Sequence, residues 1–83
     1  MIYQLSYRPV AQAALRALSP EVARRVMRKM ERLTNNLAGD VKRLTHMSPS
    51  YRLRVGDWRV LFEIERDTIV VHDVRHRSKA YGN

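Results

Sequence analysis

The 83 residues predict an α+β fold in which a helical hairpin packs on a small, mostly antiparallel sheet. Three observations point there. Apolar and polar residues alternate at the start of the chain and again over its second half, the pattern of strands with one buried face. Between these stretches apolar residues recur every three or four positions, the pattern of amphipathic helices. The resulting order, β-α-α-β-β-β, keeps helices and strands apart.

Residues 2–7 alternate, with Tyr3, Leu5 and Tyr7 on one side. Pro9 suits the first position of a helix, where a missing N–H costs nothing. Val10, Ala11, Ala14, Leu15 and Leu18 then keep the helical period. Ser19-Pro20-Glu21 starts a second helix, with Ser as the N-cap, Pro at the first position and an acid in the first turn. Val22, Val26, Met30, Leu33 and Leu37 extend it for about five turns, to an end near Gly39. Residues 40–50 read as a polar connection closing with Ser48-Pro49-Ser50.

Three strands follow. Tyr51, Leu53 and Val55 share one face, and Arg52 and Arg54 the other. Gly56-Asp57 fits a two-residue type II′ turn, with Gly at the first central position. Trp58, Val60, Phe62 and Ile64 continue the buried face, while Arg59, Leu61, Glu63 and Glu65 point the opposite way. Arg66-Asp67 marks the next turn, and Thr68 to Arg75 form the last strand. Its phase depends on that turn. A two-residue loop puts Ile69, Val71 and Asp73 in the core and His72 on the basic face. A three-residue loop puts Val70, His72 and Val74 in the core and Arg75 beside the other arginines.

Length bounds the possibilities. A chain of 83 residues is one domain, spanning 1–83, and buries only about 60–65% of its unfolded surface. A two-domain cleft and a long solenoid are excluded. No run of 18 apolar residues is present, so no membrane span is expected. The absence of Cys and of a leader pattern predicts a cytoplasmic protein.

The charge points to a partner. Sixteen Lys+Arg against eight Asp+Glu give a net +8, and 13 of the 16 are Arg. Arg offers a rigid fork matched to phosphate oxygens, so a polyanion is favoured over a merely solubilising surface. Arg24, Arg25, Arg28, Lys29 and Arg32 lie on the outside of the second helix, as a solvated face or an RNA footprint.

The first hairpin concentrates the chemistry. A two-residue loop pairs Val55 with Trp58 and sets Arg54 opposite Arg59, with Arg52 further along the same face. Like charges directly opposed destabilise a sheet, so a bound anion, phosphate above all, would relieve them. The competing explanation is neutralisation by Glu63, Glu65 or an acidic partner. Arg75, His76, Arg77, Lys79 and Tyr81 crowd the C-terminal tail, where Tyr81 can stack on a base and His76 can exchange protons. The three His, at 46, 72 and 76, make no ligand set, and no metal or cofactor is expected.

The run from Tyr51 through Gly56-Asp57-Trp58-Arg59 to Phe62, followed by Val74-Arg75-His76-Arg77-Ser78-Lys79-Ala80-Tyr81, strongly resembles RelE-type toxins of the RelE/ParE toxin–antitoxin superfamily. Tyr3 to Tyr7 and the helical hairpin also match in position and type. The resemblance implies a RelE-like fold and a metal-independent endoribonuclease that cuts mRNA codons in the ribosomal A site. In-line attack by the ribose 2′-OH would leave a 2′,3′-cyclic phosphate and a 5′-OH. It also implies catalytic roles for Arg52, Arg54, Arg59, Arg75 and Tyr81. Arg59 matches a phosphate-binding Arg, Arg75 the proposed general acid, and Tyr81 the residue that stacks on or orients substrate. His76 and Arg77 match the closing motif and, with Lys79, are assigned to RNA binding. Arg52 stands where relatives use Lys as base, and a guanidinium scarcely deprotonates. That leaves Arg52 as a charge stabiliser and the base as Tyr81, His76 or a ribosome-positioned group.

The implied partners are a neutralising antitoxin with an acidic segment, the ribosome with its mRNA, and promoter DNA only through the antitoxin complex. Two other functions are weighed against this one. A ParE-type toxin acting on DNA gyrase does not need the clustered arginines. A non-enzymatic RNA-binding module would not stop growth.

Overall fold

The computed structural model describes residues 1–80. Its elements are strand β1 (Gln4–Tyr7), helices α1 (Pro9–Ala17) and α2 (Pro20–Leu33), and strands β2 (Asp40–Arg43), β3 (Tyr51–Val55), β4 (Trp58–Glu65) and β5 (Thr68–His76). A short 3-10 turn, Arg77–Lys79, follows β5. The five strands form one sheet in the order β1-β5-β4-β3-β2. β1 runs parallel to β5, and every other pair is antiparallel.

The α+β class holds, with two differences in detail. First, the connection after α2 contains a strand, β2, that periodicity did not reveal. Val41 is its one apolar residue, and Asp40, Lys42 and Arg43 are exposed, so an alternating pattern had nothing to register on. It is an edge strand, held by pairing with β3. Second, α2 ends at Leu33 rather than near Gly39. Asn36 and Leu37 take left-handed φ of 55° and 58°. Asn tolerates that conformation because its side chain can bond locally, so the chain turns before Leu37 can extend the helix. The start of α2 is as expected, with the Ser19 hydroxyl accepting from the Val22 N–H.

Both helices cover one face of the sheet. Ala11, Val26, Met30 and Leu33 meet Leu53, Val55, Val60, Phe62, Ile69, Val71 and Val74 in a continuous core. Tyr3, Leu5 and Tyr7 pack at its edge on the side the alternation assigned. Burial holds the Tyr7 phenol above its ordinary range, and the Glu31 carboxylate adds to this.

The phase of β5 combines the two alternatives. Glu65 pairs with Thr68, so Arg66-Asp67 is a two-residue turn, and Ile69 and Val71 enter the core. Then a β-bulge intervenes: Phe62 pairs with Val71, but Leu61 pairs with Asp73. His72 is the extra residue. It shifts the alternation by one, so Val74 also reaches the core and Arg75 lies on the outer face.

The two hairpin turns differ in strain. Gly56 takes φ +59° and Asp57 does not, as a type II′ turn requires. Arg66 occupies the matching position of the second turn at φ 59°, where its Cβ is crowded. Arg66→Gly should therefore stabilise the protein by about 0.5–1 kcal/mol, net of the greater chain entropy of Gly. Thermal unfolding should show a rise of roughly 4 °C. A lower melting temperature would contradict this account of the turn.

Candidate anion-binding site

The outer face of the sheet gathers the arginines into a row. Arg54 pairs in register with Arg59, and Arg59 with Arg75. The three residues thus sit side by side on β3, β4 and β5, and their backbones span roughly 10 Å. The first opposition was legible in the hairpin. The second needed the bulge. Arg52 lies on the same face, in register between Lys42 and Leu61.

Each flanking arginine has an acid, but neither Glu63 nor Glu65 supplies it. Asp40 on β2 takes Arg52 at 3.1 Å and Arg54 at 4.0 Å. Asp73 takes the Arg75 Nε at 2.6 Å. Glu63 instead accepts from the Ser50 hydroxyl at 3.2 Å. It stands four residues from Arg59, roughly 13 Å along β4. Glu65 forms no ion pair among the described residues. Asp40 was not singled out from the sequence because its role depends on β2 being a strand. Its only signal is its position next to Val41.

Arg59 differs from its neighbours. Its Nη1 donates to the Gly56 carbonyl at 2.8 Å and to the Trp58 carbonyl at 3.0 Å. No carboxylate among the described residues pairs with it. The side chain is thus folded onto its own turn with its charge uncompensated, at the centre of a row of three. Gly56 is held from the other side by α2. A Cβ there would lie 3.0 Å from the Arg25 guanidinium nitrogens.

The tail is only partly drawn into this face. The Lys79 carbonyl accepts from Arg75 Nη1 at 3.4 Å, and Ala80 is buried against the outer face. Arg77 reaches the first hairpin instead. Its N–H donates to the Asp57 carbonyl at 2.7 Å, and its Nε lies 3.7 Å from the Asp57 carboxylate. His76 is not brought to the row. It pairs in register with Trp58, its ring edge-on to the indole with centroids 5.4 Å apart. Its Nδ1 accepts from the Ser78 N–H at 3.3 Å, capping the 3-10 turn. Strand alternation explains this, because Arg75 and His76 are successive residues and must face opposite sides. Tyr81, the expected stacking residue, lies outside the described residues.

The row can do one thing well: bind a phosphate group and stabilise added negative charge on it. Among the described residues, no three His, Asp or Glu side chains gather where they could hold a metal ion. No described helix is long and apolar enough to cross a membrane.

The fold and this face define a small basic protein that presents arginines on an open sheet. The profile of the family described as the ParE toxin of the type II toxin-antitoxin system, parDE, matches residues 5–81. The chain therefore belongs to that family, and it is similar to RelE toxins in sequence and fold. It is 38% identical over 47 residues to Toxin RelE3 of Methanocaldococcus jannaschii, a match covering 57% of this chain and 53% of that protein. The chain thus spans about half the length of the curated relative it matches.

The solved structures agree on the fold. The RelB-RelE antitoxin-toxin complex from Methanococcus jannaschii aligns with a TM-score of 0.74 and 26% identity, covering 89% of this chain and 92% of that one. The RelBE2 toxin-antitoxin complex from Mycobacterium tuberculosis aligns at 0.79 and 23%, covering 93% and 100%. The archaeal RelE-RelB complex from Pyrococcus horikoshii OT3 aligns at 0.75 and 24%, covering 96% and 100%.

Proposed function

We propose that residues 1–83 form one toxin domain that acts in the cytoplasm as a ribosome-dependent mRNA endoribonuclease, cutting codons in the A site. The observation that carries this reading is the Arg54–Arg59–Arg75 row with its central charge unpaired. A scissile phosphate on Arg59 would lie between two further guanidinium groups. The ribose 2′-oxygen attacks phosphorus and gives up its proton. The bond to the 5′-oxygen breaks, and that oxygen takes up a proton. The products are a 2′,3′-cyclic phosphate and a 5′-OH, with no metal required. The arginines stabilise the extra charge on the phosphorane.

His76 faces away from the row, which weighs against it as the base. Tyr81 and a ribosome-positioned group remain the candidates. Dependence on the ribosome suits a site with fixed cations and no strong base beside them, because orientation then supplies much of the rate. Arg75, tied to Asp73, serves chiefly as an electrostatic stabiliser. Arg77 and Lys79 add phosphate contacts along the strand. The solved relatives are complexes with antitoxins, which supports a cognate antitoxin for this chain, with an acidic segment suited to the arginine face. Promoter DNA would be bound only through that complex.

The description of the matching family supports a second reading, a ParE-type toxin that inhibits DNA gyrase. Primer extension on mRNA in a reconstituted translation system separates the two. The expected result is new ends within A-site codons for wild type, absent without ribosomes and absent for Arg75→Ala. No new ends, with growth inhibition and loss of gyrase supercoiling, would move the assignment to gyrase. Neither cleavage nor growth inhibition would leave a basic binding module.

A further inference from the structure

Leu61 is out of place by its pattern. It lies on the outer face, in register between Arg52 and Asp73, yet it is only 4% exposed. The helix-side core does not include it. Its cover comes from the loop between β2 and β3 and from Ala80 of the tail. These walls enclose a cleft of about 100 Å³, with Leu44, Met47 and Pro49 on one side, Leu61 and Ala80 beside them, and Arg75 as the charged wall. Met47 remains 39% exposed, an apolar side chain left open to water.

We infer that this cleft is a subsite for one nucleobase, that of the nucleotide whose phosphate rests on the arginine row; this rests on the RNA-cleaving reading above. Three features carry it. The size admits one ring of a base, since an apolar cavity of roughly 150 Å³ takes up benzene, and the open side leaves room for the second ring of a purine. The position is right: Leu61 is two residues from Arg59, roughly 7 Å along the strand, about the reach from phosphate to base within one nucleotide. The chemistry is right as well. The Arg75 guanidinium is fixed by Asp73 at 2.6 Å and by the Lys79 carbonyl at 3.4 Å, and a held guanidinium plane stacks on bases.

The walls offer apolar contact and the Ser48 hydroxyl, not a set of donors and acceptors matched to a base edge. Recognition is therefore by area. Purines should be favoured over pyrimidines, with adenine and guanine treated alike.

The test compares adenosine 5′-monophosphate with ribose 5-phosphate, which differ only in the base, by NMR titration of the whole chain. Adenosine monophosphate should bind about tenfold more tightly. The methyl signals of Leu44, Met47 and Leu61 should shift with it and not with ribose 5-phosphate, while the Arg59 Nε–H signal should respond to both. Guanosine monophosphate should match it, and cytidine monophosphate should bind several-fold less tightly. Met47→Ser, at an exposed rim position, should cut the advantage of the base at least threefold and leave ribose 5-phosphate affinity unchanged. Equal affinities, with Arg59 responding to both, would overturn the subsite and leave the arginine row standing. Tighter nucleotide binding with shifts away from the cleft would also overturn it. No response at Arg59 to either ligand would overturn the row itself.

Discussion

Arg59→Ala should lower ribosome-dependent cleavage by about 10²–10³-fold while leaving the melting temperature unchanged or slightly higher. The two halves of that result have one cause. Arg59 faces Arg54 on one side and Arg75 on the other, and no described carboxylate offsets its charge. In the free protein its repulsion offsets the two hydrogen bonds it gives to the Gly56 and Trp58 carbonyls, so its removal costs the fold little. In the reaction it is the one cation of the row that no acid of the described chain must release before phosphate can bind. Arg59→Lys should recover part of the rate, since a point charge replaces the fork without its paired geometry.

Arg52→Ala should behave differently. Its side chain is 13% exposed and donates to both the carbonyl and the carboxylate of Asp40. Its loss frees the edge strand β2, so stability should fall by about 1 kcal/mol and the rate by less than for Arg59. Urea unfolding alongside primer extension reads both. If Arg59→Ala unfolded the protein more readily than Arg52→Ala, the division between an uncompensated and a structural arginine would be wrong.

What the sequence showed and what it hid follow from where the pattern is dense. Tyr51 to Ile64 alternates, with Leu61 the one apolar residue on the charged face, around a turn with Gly at the position that needs positive φ. The hairpin, its register and the Arg54–Arg59 opposition were therefore readable directly. β2 carries a single apolar residue, Val41, so periodicity could not separate it from a loop, and Asp40 went unnoticed with it. The side taken by Arg75 depended on the bulge at His72. One extra residue inverts every later position, and no local residue type announces it. The same alternation then explains why His76, next to Arg75 in the motif, belongs to the Trp58 side. Leu61 was placed with the charged residues of the opposite face, and its burial there was not readable because its cover comes from residues 44–49 and Ala80, distant in sequence and joined only in the fold.

The core depends most on Phe62. It is fully buried at the centre of β4, it stacks on Tyr51 with centroids 5.4 Å apart and planes at 17°, and it pairs with Val71. Phe62→Ala should cost about 3–5 kcal/mol, the transfer of the ring plus the cavity that a dense core fails to close. A domain of this size has a total stability near the lower end of about 5–15 kcal/mol, so little would remain at physiological temperature. The urea midpoint should fall by roughly 2–3 M. Phe62→Leu, which keeps most of the volume, should lose less than about 1.5 kcal/mol. The position also bears on the site. Phe62–Val71 is the last regular pair before the bulge, and the bulge sets Arg75 opposite Arg59. Phe62→Ala should therefore lose cleavage together with cooperative unfolding, whereas Phe62→Leu should keep both. A fall of less than about 0.5 M in the urea midpoint for Phe62→Ala would mean that the core closes over the missing ring, and that the packing under the arginine row is looser than the structure indicates.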